Sequence, residues 1–209
     1  MKTIYFLLIA LFFLSACNNN SKKSEAEDKE KDSVLHEQDT ILKDTSITDL
    51  TQIILKHIKN KDYQSLTQYI HPELGIRFTP YSYINLKEDI TIKADQFTKM
   101  INNDEKLLWG LYDGTGEEIK LTTRDYFAKF VYDVDFLKAP KLTVNESSAA
   151  GNSINNIKEI YPDADYTESY FSGFKKEYGG MDWRALRLVY KKADGKYYLI
   201  GIIHDQWTV

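Results

Sequence analysis

Scarce side chains are the ones whose chemistry can be read from a sequence, and here they are one cysteine, four histidines and four arginines in 209 residues. The histidines (His36, His57, His71 and His204) lie far apart with no paired spacing, and no second thiol joins them. A tetrahedral zinc site needs three or four such ligands brought close, so this pattern argues against one. Arginine is the more telling residue, because its planar fork is used where carboxylate or oxyanion geometry matters. Arg184 stands beside Asp182 and Trp183, which reads as a structural Arg–Asp pair under an aromatic lid or as an anion site at the mouth of a sheet. Arg77 falls on the polar side of an alternating run over 75–81. In the last run, alternation puts Ile202, His204 and Gln206 on one face and Gly201, Ile203, Asp205 and Trp207 on the other. His204 and Asp205 therefore point apart, and each must find its partner on another element. His204 reads as a hydrogen-bonded structural histidine or a general base in a pocket. Trp207, so near the terminus, reads as a plug for the core.

Cys17 follows Leu14, Ser15 and Ala16, and the apolar run from Ile4 ends there abruptly at three asparagines. Thirteen helical residues span only ~20 Å, short of the ~30 Å hydrocarbon core, which fits a signal-peptide core and not a spanning helix. With Lys2 ahead of it, the segment resembles the lipobox of bacterial lipoprotein precursors. That resemblance implies cleavage before Cys17, a diacylglyceryl thioether on its sulfur, and a mature chain held on the cell membrane or outer membrane outside the cytosol. Two or three acyl chains anchor stably where one would not.

Residues 17–47 read as an acidic tether. They carry five lysines against eight acidic side chains, with no aromatic residue, a composition that cannot bury a core. The whole chain has a formal charge of −4, and with no basic stripe it is a poor nucleic-acid binder. No phosphate-binding glycine loop or Gly-x-Ser-x-Gly elbow occurs, and no cofactor is implied. The Asp113 to Gly116 run reads as a hairpin turn, since it lacks the ligand ladder of a calcium loop.

The elements that must position these residues lie in 48–209, read as one globular domain. Ile47, Leu50, Ile53, Ile54 and Ile58 recur at helical spacing, with Thr48 or Asp49 as the expected cap. Asp62 can cap a second helix that His71-Pro72 ends. A strand over 75–81, a helix over 94–102, a hairpin over 107–121 and a helix capped by Thr123 follow. Strands near 141–146, 165–174, 185–192 and 197–206 close the chain. On the third of these, Leu186, Leu188 and Tyr190 share a face opposite Arg187 and Val189. Helices first and antiparallel strands last predict an α+β fold, with helices packed on one face of a curved, mainly antiparallel sheet. A nuclear-transport-factor-2-like cone is the leading expectation and a cystatin-like sheet the second.

The segments 75–81 (GIRFTPY), 152–158 (NSINNIK), 179–184 (GGMDWR) and 201–207 (GIIHDQW) resemble those of an uncharacterised family of bacterial envelope lipoproteins. The resemblance spans about residues 48–209 and implies a shared fold and anchoring. It brings no activity and no functional residue. The expectation is thus a membrane-anchored module that binds a small ligand or an envelope protein. The alternative is a small isomerase- or dehydratase-like pocket enzyme using His204 or Asp205 with Tyr and Arg partners.

Overall fold

In the computed structural model, residues 45–148 and 154–208 are described; Cys17, the signal segment and nearly all of the tether lie outside them. The first helix, α1 (Ile47–Lys59), starts at Ser46, whose hydroxyl accepts from the Asp49 N–H. The expected caps Thr48 and Asp49 are instead inside the first turn, where the Asp49 carboxylate favours the positive end of the helix. Leu50, Ile54, Leu55 and Ile58 form its buried stripe. Asp62 caps α2 (Tyr63–Leu66), which tightens into a 3-10 turn at Thr67–Tyr69.

Strand β1 (Ile76–Thr79) buries Ile76 and Phe78 on one face and turns Arg77 to the other. Gly75, just before it, has φ of +71°, and a Cβ there would sit 2.6 Å from the Ile92 carbonyl oxygen, so only glycine lets β2 (Ile90–Ile92) come alongside. Then come α3 (Ala94–Asn102) and the hairpin β3 (Lys106–Leu111) with β4 (Glu118–Thr122). Thr122, one residue before the expected cap, caps α4 (Thr123–Tyr126), while the Thr123 side chain is buried. A π-helical turn at Phe127–Val131 continues α4, and a 3-10 turn (Phe136–Lys138) leads to β5 (Lys141–Val144). After the short α5 (Ile157–Ile160) the chain closes with β6 (Asp165–Phe171), β7 (Arg184–Ala193) and β8 (Lys196–Gln206).

The main sheet runs β2-β1-β8-β7-β6-β5, antiparallel throughout except for the parallel pairing of β1 with β8. That parallel contact joins distant parts of the chain and makes the sheet mixed. One face carries Phe78, Leu186, Leu188, Tyr190 and Ile202 against α1, α3, α4 and the hairpin, in a core crowded with aromatic rings. The other face carries Val189 and Ile203 against Ile84 and Ile157, which arrive on loops. The fold is α+β. The helical and strand periods were legible in advance; β2 and α5, three and four residues long, were not.

Candidate functional site

Two buried charged clusters occupy opposite faces of the sheet. On the loop-covered face Arg187 is 1% exposed, and it is gripped by carboxylates from both flanking strands. Glu168 lies directly across on β6, and Arg187 Nε donates to its Oε2 at 2.7 Å. Asp205 on β8 accepts from Nη2 at 2.9 Å. Nη1 donates to Ser82 Oγ and Nη2 to Ser147 Oγ, and Ser147 in turn donates to Glu168. Burying such a cluster is expensive, and its return is in fixing positions. It ties loops 80–89 and 145–148 onto the strands. Asn156 helps, its side chain bonding both the N–H and the carbonyl of Ile84.

On the helix-covered face His204 is fully buried beside Phe130. Nδ1 lies 3.2 Å from the Pro80 carbonyl oxygen, which can only accept. Nε2 lies 3.4 Å from Asp133 Oδ1, close enough for an ion pair but outside good hydrogen-bond geometry. Arg184 Nε donates to the other Asp133 oxygen at 2.8 Å. Burial pushes the Asp133 carboxyl up, and His204 and Arg184 together more than reverse this, so it sits below the usual carboxylate range.

These facts correct the expected pairing. Arg184 is an ion-pair residue, but its carboxylate is Asp133 from the segment after the π turn, 51 positions away, and Asp182 contributes only its backbone carbonyl. The Asp182 side chain instead accepts from the Lys175 N–H and braces the preceding loop. His204 and Asp205 do point apart, as alternation required. Trp207 is no core plug: it is 40% exposed and borders a cleft with Tyr81, Tyr112 and Lys129.

A wider opening than the one beside Trp207 lies elsewhere. Loop 80–89 and the β3–β4 hairpin wall a cleft of about 800 Å³. A bulge between Leu108 and Leu111 shapes its wall, with Gly110 at φ +127° allowing Trp109 to turn inward. The Trp109 indole donates to the Leu121 carbonyl and stacks on Tyr126 at 3.9 Å. Tyr81, Tyr83 and Tyr112 supply aromatic edges, and Glu88, Asp89 and Asp113 supply carboxylates. Among the described residues no lysine or arginine lines it directly, although Lys129 Nζ donates to the Tyr112 hydroxyl at 2.7 Å and lies 4.3 Å from that ring's centroid. Asp89 accepts from Thr79 Oγ1 and from the Asn85 N–H. Burial dominates its titration and pushes it up to about 6, despite those bonds and nearby Arg77. The Tyr126 hydroxyl, fully buried and without a hydrogen-bond partner, is raised well above its ordinary value by burial and then by Asp89 and Tyr81.

Sequence reading missed Asp89, Asp133 and Glu168, because each is one acid among 31 and only long-range folding buries it. Among the described residues no group of three or more His, Cys, Asp or Glu could hold a metal ion, and no helix is long and apolar enough to cross a membrane.

No family model matches the chain, and no curated protein matches it. Among solved structures it is similar to a candidate calcium/calmodulin-dependent protein kinase II association domain from Xanthomonas campestris, at 12% identity and a TM-score of 0.33, covering 77% of this chain and 84% of that one. A DUF4783 family protein from Bacteroides ovatus aligns at 11% identity and a TM-score of 0.27, covering 75% and 94%.

Proposed function

We propose that this chain is a membrane-anchored lipoprotein of the bacterial envelope, acylated at Cys17, whose domain is a non-catalytic binding module for a small cationic ligand such as an organic amine. The observation that carries the binding reading is the lining of the 800 Å³ cleft: three carboxylates and three tyrosines, with no lysine or arginine among the described lining residues and Lys129 reaching only Tyr112 at its edge. Carboxylates pair with an ammonium directly, and tyrosine faces attract it through their quadrupoles. The volume falls inside the ~300–1,000 Å³ range of small-molecule sites. Anchoring rests on the lipobox-like Leu14–Cys17 segment, and the module would work at a lipid surface.

A pocket isomerase or dehydratase built on His204 or Asp205 is the weaker reading. Both side chains are 1% exposed or less and lie on opposite faces of the sheet, Asp205 paired with Arg187 and His204 packed on Phe130 with Nδ1 at the Pro80 carbonyl.

Two measurements test the proposal. Cells fed labelled palmitate should label the wild-type chain and not Cys17→Ser, and the variant should leave the membrane fraction; equal labelling or equal retention refutes the anchor. Calorimetric titration with n-butylammonium, with n-butanol as its neutral counterpart, tests the cleft. Ammonium should bind at least ~10-fold tighter than the alcohol, and Asp113→Asn with Glu88→Gln should remove most of that preference. Equal binding of amine and alcohol refutes it.

A further inference from the structure

Each arginine in this protein except one is within ion-pair range of a carboxylate. Arg187 has Glu168 and Asp205, Arg184 has Asp133, and Arg124 has Asp104 at 3.8 Å. Arg77 has none among the described residues. Its Nε donates to the Tyr161 hydroxyl at 3.2 Å and one Nη1 hydrogen to the Asp89 backbone carbonyl at 3.3 Å. Nη2 is left with no protein acceptor there.

The side chain borders a pocket of about 260 Å³ on the loop-covered face of the sheet. Its walls are apolar, made by Leu74, Ile160, Pro162, Ala164 and Ile200. Lys191 on β7 adds a second cation, and Asp163 is the one carboxylate lining it, so the lining carries a net positive charge. Register fixes this placement. Arg77 pairs with Gly201 on β8, and Gly201 pairs with Val189 on β7, so Arg77 and Lys191 reach the same region from two strands. Tyr161 holds the guanidinium from the side, which pre-organises the fork and lowers the entropic cost of engaging an anion.

We propose that this pocket is a second binding site, distinct from the acidic cleft and opposite to it in charge, for a small oxyanion attached to a short apolar group, with a carboxylate as the favoured head. Arg77 binds the oxyanion, Lys191 supplements its charge, and the Leu74, Ile160 and Ile200 surfaces receive the apolar part. The volume lies below the ~300 Å³ of ordinary ligand pockets, which restricts the guest to a handful of carbon atoms.

The test uses the full chain in a non-ionic detergent, with Arg Nε–H groups isotopically labelled. Only four such signals exist, so Arg77 can be followed alone. Butyrate is the probe, with 1-butanol and inorganic phosphate as companions. Butyrate should shift the Arg77 Nε–H saturably with a Kd on the order of millimolar, and 1-butanol should not. Phosphate that displaces butyrate identifies a general oxyanion site; phosphate that fails to do so identifies a site needing the apolar chain, and both support the pocket. Arg77→Gln should weaken butyrate at least ~10-fold. Should that variant fold poorly, the exposed Lys191→Gln should weaken binding several-fold while melting like the wild type. Butanol shifting Arg77 as butyrate does, no saturable shift, or Lys191→Gln binding butyrate undiminished would overturn the proposal. A failure here leaves the acidic cleft standing, since no residue of that test borders this pocket.

Discussion

Removing the charge of Asp89 should change how stability depends on pH, and the size of the change follows from its surroundings. Its folded titration point is raised from 3.8 to about 6 by burial. A carboxyl raised on folding holds its proton more tightly in the native state. It therefore opposes folding above pH 6, and that penalty is relieved as the pH falls toward 3.8. The full rise is worth at most ~3 kcal/mol. Between pH 7.5 and 5 about half of it should be recovered, and partial solvent screening reduces this to about 1 kcal/mol. Asp89→Asn keeps an oxygen to accept from Thr79 and Asn85 but cannot ionise. Thermal unfolding of both proteins at pH 7.5 and 5 gives the comparison. The variant should melt at least as high as wild type at pH 7.5, and the wild type should close the gap at pH 5 by roughly 2–4 °C. Other groups change in this window, notably His71, which burial holds below its ordinary value, so that its contribution is lost on acidification. Subtracting the variant cancels them. A wild type that gains nothing relative to Asp89→Asn at pH 5 would refute the reasoning.

The other buried charges should respond differently. Arg187→Met strands Glu168 and Asp205, 0% and 1% exposed, without their cation, and should cost about 3–5 kcal/mol in urea unfolding; a loss under about 1 kcal/mol would mean that the carboxylates find other compensation. Asp133→Asn should cost about 1–3 kcal/mol at pH 7. Because the Asp133 carboxyl is held below its ordinary value, its contribution is present at neutral pH and lost as acid protonates it, so the gap between variant and wild type should shrink below pH 4. A gap that widens there would contradict the ion pair with Arg184.

Periodicity alone determined much of this protein. The stripe of α1, the alternation that parts His204 from Asp205, and the face shared by Leu186, Leu188 and Tyr190 are local consequences of 3.6- and 2-residue repeats, and the structure keeps them. The Leu14–Cys17 pattern is likewise local and lies outside the described residues. Partnership was not local. Asp182 is two residues from Arg184, yet Asp133 takes the ion pair, because a side chain meets whatever the π turn and β7 bring together. Trp207 sits just past the end of an apolar strand, yet its indole is 40% exposed at the rim of a cleft it shares with Tyr81, Tyr112, Lys129 and Phe130. Asp89 resembles any loop acid until β1, β2 and the hairpin close around it and withdraw water. Charge and hydrophobicity belong to residues and can be read from them. Desolvation and pairing belong to neighbourhoods, and only the tertiary fold creates those.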